Sequence, residues 1–319
     1  MALFTNNYSL LIFGILILVA SGDVLVRGSV SLARFFKIST LIVGATVVSF
    51  GTSAPELIVS INAALSGHQD IAIGNVIGSN ISNIALVLAL TAIILPISVN
   101  KNSINIDWPV MMAAGILLFL VSFWDNKLQI YDGLIFIFLL IVYILYIIHK
   151  GKKERKKAPE FKKPKYNIFI SLSFIIISIV GMYLGSNLLI KGASGIAFQW
   201  GVSERVISVT VIAFGTSVPE LSTSIIAAIK KESDISVGNI LGSNIFNILA
   251  ILGITASIKD VSVSVTILST DILWMLASFI LLIILIYFPE RNKISRFSGI
   301  ILLIFYLIYI YISFNTRAL

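Results

Sequence analysis

Uncharged apolar stretches recur along the chain, each about the length a helix needs to cross the roughly 30 Å hydrocarbon core of a bilayer. They fall near 8–26, 39–65, 71–97, 106–124, 130–148, 167–190, 205–229, 235–257, 267–287 and 297–314. The runs are continuously apolar and lack the period-two alternation of a membrane barrel, so each predicts a helix that satisfies its own backbone. The expected fold is an all-α membrane protein with about ten transmembrane helices. The first run ends in Leu18, Val19, Ala20 and Ser21, a sequence similar to a signal cleavage site. However, residues 1–9 contain no Lys or Arg, and the segment has a counterpart at 172–192, so it reads as a membrane helix.

Composition agrees with this pattern. The 319 residues are 58% hydrophobic and 12% charged, against about 45–50% and about 25% in soluble domains. The absence of cysteine excludes disulfides, thiolate metal sites, iron–sulfur clusters and a cysteine nucleophile. A net charge of +8 could suggest nucleic acid, but nine of the 23 Lys and Arg lie between His149 and Tyr166, where basic residues set membrane orientation. With that segment placed in the cytoplasm, alternating loops bring 18 of the 23 to the same side, including Arg27, Arg34, Lys37, Lys101, Lys230, Lys231, Arg291, Lys293 and Arg296. Lys127, Lys191, Arg205, Lys259 and Arg317 fall opposite. Both termini are therefore expected outside.

The chain also repeats itself at an offset of 164 residues. Thr46–Thr91 and Thr210–Thr255 align without a gap, with about half of the positions identical, and Gly28 with Gly192 and Asp107 with Asp271 extend the match. The recurring residues are Gly, Thr, Ser, Pro, Glu and Asn, which chance similarity between apolar helices would not preserve. Five spans per copy is an odd number, so the copies should cross the membrane in opposite directions, with a site near the midplane where they meet. The expected units are a first five-helix repeat over 1–148, a basic cytoplasmic linker over 149–166 and a second five-helix repeat over 167–319.

Inside the repeat, Glu56 and Glu220 each interrupt an apolar stretch within the string Gly-Thr-Ser-x-Pro-Glu. A carboxylate at membrane depth costs several kcal/mol unless it meets a partner or a wet cavity. No span carries a Lys or Arg deep enough to neutralise them, which leaves cations from solution. Pro55 and Pro219, with Gly51 and Gly215 a turn earlier, are expected to free backbone carbonyls around 49–53 and 213–217. Those carbonyls, the hydroxyls of Thr52, Ser53, Thr216 and Ser217 and the two carboxylates form an all-oxygen set, which suits hard cations such as Ca²⁺ and Na⁺. A second string, Gly-Asn-x-x-Gly-Ser-Asn-Ile-x-Asn, occurs at 74–83 and 238–247. Ser79 and Asn83, and Ser243 and Asn247, lie one helical turn apart and read as neutral oxygen ligands facing the two Glu. Asn75, Asn80, Asn239 and Asn244 fit hydrogen bonding between helices at least as well. Asp70 and Asp234 read as N-caps, Asp107 and Asp271 as residues opening helices at the interface, and His68 and His149 as loop residues without a metal role.

The two paired strings resemble the alpha repeats of the calcium/cation antiporter superfamily, in its sodium/calcium exchanger branch. The resemblance spans essentially the whole chain in length, span count and linker position. The proton/calcium branch is less similar, since its acidic helix usually carries a Gly-Asn-x-x-Glu string. The resemblance implies a Ca²⁺ site at Thr52, Glu56, Thr216 and Glu220, including the threonine carbonyls. It implies Na⁺ sites at the Ser49 carbonyl, Ser53, Ser79 and Glu56 on one side, and at the Ala213 carbonyl, Ser217, Ser243 and Glu220 on the other. Asn83 and Asn247 would complete the centre. Several members, including potassium-dependent exchangers, have Asp in place of Asn247, so no K⁺ cotransport is expected.

The expected activity is antiport by alternating access, with Na⁺ entry driving Ca²⁺ out. The helices near 8–26 and 167–190 are the moving pair by resemblance. Protons should compete, because protonation also neutralises a desolvated carboxylate. A Ca²⁺/H⁺ antiporter using the same two glutamates is the alternative, separated by sodium dependence. A passive channel would show flux without countertransport. An intramembrane hydrolase lacks a base for Ser53 or Ser217. No enzyme activity, cofactor, nucleic acid or obligate protein partner is expected beyond the lipid bilayer. The compact chain, with no large regulatory insertion, points to a prokaryotic cytoplasmic membrane.

Overall fold

The computed structural model describes residues 6–155, 163–201 and 213–316. Its helices are α1 (Asn7–Phe36), α2 (Thr40–Thr52), α3 (Ala54–Leu65), α4 (Gln69–Ile94), α5 (Ser103–Asp125), α6 (Ile130–Arg155), α7 (Ile168–Gln199), α8 (Ala213–Ile229), α9 (Ser233–Ile258), α10 (Ile267–Tyr287) and α11 (Arg296–Thr316). Among the described residues eight helices are long and apolar enough to cross a membrane, and α2 with α3 forms a ninth, bent by 46°. The expected span at 205–229 is described only from Ala213; its first residues, including Arg205, lie outside the described residues, as does Arg317.

Most helices outrun the apolar stretches that predict them, because a helix continues into the headgroup region on polar residues. α6 extends to Arg155, so His149, expected in a loop, stands on an exposed helix face and the interhelical linker begins later than residue 149. Residues 156–162 of that linker are outside the described part. His68 sits in the turn before α4. The N-caps of α4 and α9 are His68 and Glu232, neither with a capping side-chain bond. Asp70 and Asp234 lie within the first turn instead, where a negative charge complements the helix dipole. The chain is also not purely helical. Four two-residue strands occur in the connections, β1 (Ile97–Ser98), β2 (Lys127–Leu128), β3 (Val261–Ser262) and β4 (Lys293–Ile294), and β1 pairs antiparallel with β4 and β2 with β3.

Two helices form the centre. The most apolar windows of α4 and α9 are 78% and 94% buried, against 28–44% for the other spanning helices, so these two can hold polar side chains away from lipid. Each widens into a π-helical turn beginning at its last motif asparagine, Asn83–Leu88 and Asn247–Leu252. Such turns often mark functional positions. The main apolar core joins residues of α4, α5, α6, α9, α10 and α11. A second cluster gathers Leu18, Leu25 and Leu32 of α1 with Ile175, Met182 and Leu189 of α7.

The α1–α7 pair is long and closely packed. At 1.5 Å per residue, their 30 and 32 residues reach about 45 Å and about 48 Å. Asn6 and Asn167 cap their starts through their side chains, and Lys37 ends α1 at φ 54°. A Cβ added at Gly14 would stand 2.6 Å from the Leu189 amide nitrogen, and one at Gly192 2.5 Å from that of Leu11. The two backbones therefore approach with no side chain between them.

Candidate functional site

The bend in the first acidic span follows from its sequence. Pro55 stands in the first turn of α3 and has no N–H to donate, so the Gly51 carbonyl loses its donor and the span bends at Ser53, which separates α2 from α3. In the second copy Pro219 lies inside the continuous α8, and the Gly215 carbonyl it deprives of a donor accepts a 2.8 Å hydrogen bond from the Ser186 hydroxyl of α7. The corresponding position on α1 is Gly22, which has no hydroxyl to give. Not every expected carbonyl is free: that of Ser49 accepts from the Ser53 amide at 3.0 Å and from the Thr52 hydroxyl at 3.3 Å.

Glu56 and Glu220 are both buried, 1% and 0% exposed. Around them the two copies interlock. Ser53 Oγ donates to Glu220 Oε1 at 3.0 Å, and Ser243 Oγ donates to the same oxygen at 3.4 Å. Thr52 Oγ1 lies 3.4 Å from Ser243 Oγ and donates to Asn239 Oδ1 at 3.0 Å. Asn239 Nδ2 donates to Ser224 Oγ at 3.2 Å, and Ser49 Oγ donates to the Asn239 carbonyl at 3.0 Å. In the first copy Asn75 Nδ2 bonds Ser60 Oγ at 3.0 Å and the Glu56 carbonyl at 3.3 Å. Asn75 and Asn239 thus act as helix-to-helix struts. Ser60 and Ser224, which complete the scaffold, recur at the repeat offset and are marked by it, whereas Ser186, whose counterpart is Gly22, carries no such signal. Replacing Asn239 by Ala removes its bonds to the Thr52 and Ser224 hydroxyls, and a loss of about 1–3 kcal/mol is expected in thermal or denaturant unfolding of the purified protein.

The remaining motif oxygens are different. Glu56 Oε2, Glu220 Oε2, Ser79 Oγ, Ser217 Oγ and both amide atoms of Asn83 and Asn247 are buried without a hydrogen-bond partner. Thr216 is buried beside them in sequence, and Ala213 opens the described part of α8. Among the described residues no Lys, Arg or His pairs with either glutamate, and no group of three or more His, Asp or Glu gathers to hold a metal. A cation bound here would therefore be held by two carboxylates plus neutral hydroxyl, amide and carbonyl oxygens. Buried acceptors without donors are costly, and a hard cation is the partner that satisfies several at once.

Asn80 and Asn244 take no part in the hydrogen bonds around the two glutamates. Asn80 Nδ2 reaches Met275 Sδ at 3.5 Å, and neither amide atom of Asn244 has a partner. Asp107 and Asp271, expected to open helices at the membrane interface, lie near the starts of α5 and α10 and are buried in the protein, 3% exposed each. Each accepts from a buried tyrosine, Asp107 from Tyr143 at 2.9 Å and Asp271 from Tyr309 at 3.2 Å. A phenol one helix away substitutes for water, which lets these carboxylates tolerate burial that the sequence did not suggest.

The family model described as sodium/calcium exchanger protein matches residues 7–149 and 170–315. The inner membrane protein YrbG of Escherichia coli is 36% identical over 258 residues, covering 78% of this chain and 79% of that one. The sodium/calcium exchanger MaX1 of Methanosarcina acetivorans is 28% identical over 349 aligned positions, covering 97% and 99%. Among solved structures, the sodium-calcium exchanger NCX_Mj, soaked with 10 mM Na⁺ and zero Ca²⁺, superposes with a TM-score of 0.83 at 32% identity, covering 98% of this chain and 99% of that one.

Proposed function

The chain belongs to the sodium/calcium exchanger protein family, and from that premise we propose that it exchanges Na⁺ for Ca²⁺ by alternating access at Glu56 and Glu220. The observation that carries this reading is the set of buried oxygens without hydrogen-bond partners, drawn from both sequence copies and centred on two unpaired carboxylates. Ca²⁺ is held by Thr52, Glu56, Thr216 and Glu220. Na⁺ occupies flanking positions formed by Ser49, Ser53 and Ser79 on one side and Ala213, Ser217 and Ser243 on the other, with Asn83 and Asn247 between. Two carboxylates neutralise one Ca²⁺ or two Na⁺, and a third Na⁺ leaves an excess positive charge.

In this reading the chain has ten spans in two inverted repeats, 1–148 and 167–319, joined by the basic linker in the cytoplasm of a prokaryotic cell, with both termini outside. The strand pairings support the inversion. β1 follows α4 and β3 follows α9 at the equivalent position, yet β1 pairs with β4, which follows α10, and β2, which follows α5, pairs with β3. With α5 and α10 each crossing once, those pairings fit α4 and α9 ending on opposite faces. The apolar cluster that joins α1 to α7, which also takes in Val43, Val48, Ala227 and Ile235 of α2, α8 and α9, supports α1 and α7 moving as a unit.

The test is radioactive Ca²⁺ uptake into proteoliposomes loaded with Na⁺ or K⁺, with and without a pH gradient. Uptake requiring internal Na⁺ supports the proposal; uptake indifferent to Na⁺ and driven by the pH gradient replaces Na⁺ coupling with H⁺ coupling. Lowering the pH equally on both faces is expected to inhibit Na⁺-driven uptake, because a protonated Glu56 or Glu220 contributes no charge to the site. Initial rates measured stepwise from alkaline to acid pH should fall monotonically, and a rise on acidification would contradict shared carboxylates.

A further inference from the structure

Away from the glutamates, a cavity of about 340 Å³ opens where the second half of α1 meets the residues preceding α7 and the turn between α8 and α9. Four cationic side chains line it: Arg27 and Arg34 from α1, Lys165 from the end of the linker and Lys230 from the turn. Among the described residues two carboxylates offset them. Asp23 takes Arg27 Nε at 2.7 Å and is also paired with Lys230, while Glu232 stands 3.9 Å from Arg34. The group thus keeps an excess of two positive charges.

The cavity is built. Ser31 Oγ donates to the Tyr166 carbonyl and accepts from the Tyr166 amide, both at 3.0 Å, which fixes Lys165 at the rim with Nζ 5.5 Å from the Tyr166 ring centre. Val26 and Val30 give it an apolar wall. Beyond it α1 ends in exposed Phe35 and Phe36, aromatic rings of the kind that sit at headgroup level. α1 is longer than the hydrocarbon core is thick, and its charged residues all lie in its second half. The repeat offset converts Asp23, Arg27, Arg34 and Lys230 to Asn187, Lys191, Phe198 and Ser66. The other copy therefore has no such cluster, and this one is not part of the duplicated cation machinery.

We propose that this cavity binds a phosphate-bearing anion at the membrane interface, either the headgroup of an anionic lipid or free inorganic phosphate. Two guanidinium and two ammonium groups around a space of this size, beside an apolar wall, match a phosphate with an attached chain.

The test uses the purified full chain. In one arm it is placed in nanodiscs of phosphatidylcholine with or without phosphatidylglycerol, and retained lipid is counted by native mass spectrometry. In the other, inorganic phosphate is titrated by calorimetry into phosphatidylcholine nanodiscs. Lys165→Gln and Arg34→Gln are each expected to lower affinity about fivefold in the arm that binds, and Lys101→Gln, an exposed cation elsewhere, less than twofold. Phosphatidylglycerol retention that falls in the variants assigns a lipid, and phosphate binding that falls in them assigns the free anion. Lys165 is exposed, so its variant keeps the test valid if Arg34→Gln fails to fold. Binding in neither arm, or binding that Lys101→Gln weakens as much as Lys165→Gln does, overturns the proposal.

Discussion

Glu220→Gln is expected to lower Na⁺-driven Ca²⁺ uptake about 100- to 1,000-fold, the scale on which removing one member of a buried charge cluster is felt, about 3–5 kcal/mol. Glutamine keeps the volume and can still accept the Ser53 hydroxyl bond that Glu220 Oε1 takes at 3.0 Å, so the fold should persist. Without bound cation the variant should melt no lower than the native protein, since it no longer buries that charge. Glu56→Gln should behave alike. Proteoliposome uptake and thermal melting, measured together, separate loss of the site from loss of the fold. Uptake within a few-fold of native in either variant would remove that carboxylate from the transport site.

The second large effect is expected from a residue that offers no ligand. Gly242 lies where α9 crosses α2, and an added Cβ would stand 2.7 Å from Ala45 Cα and 2.8 Å from the Ala45 carbonyl oxygen, besides falling on Ser49 Oγ. Two of those neighbours are backbone, so Gly242→Ala must push α2 away from α9 and break the Ser49 hydroxyl bond to the Asn239 carbonyl. A destabilisation of about 1–3 kcal/mol is expected. Uptake should fall roughly tenfold or more, because the displaced helix leads directly into Thr52 and Ser53 and misplacement of about 1 Å at a preorganised site is costly. Native melting and native transport in this variant would show that the crossing has room to spare.

Much of this arrangement was legible from residue type and spacing. Continuous apolar runs locate spans because lipid offers no partner for a backbone, and a Glu repeated at a fixed offset within such runs stands out against the cost of its burial. The strut role of Asn75 and Asn239 was also open to reading as helix-to-helix bonding. Other features depend on what faces what. The tyrosines that hold Asp107 and Asp271 lie 36 and 38 residues further along the chain, at no recognisable motif. Helix ends were misread where polar residues continue a helix beyond the hydrocarbon, as in α6. The unequal treatment of the two prolines, one bending its span and the other absorbed into α8 with the Ser186 hydroxyl on the freed carbonyl, is invisible in the two strings, which are alike around the proline.

The crossed pairing of the short strands bears on how the protein is made. Each ribbon takes one strand from each half, and the Ser53 hydroxyl from the first half bonds Glu220 in the second. A nascent chain that has threaded only its first five helices has β1 and β2 without mates and the polar face of α4 without its cover. The first half is thus incomplete on its own until the second half is synthesised and supplies those partners.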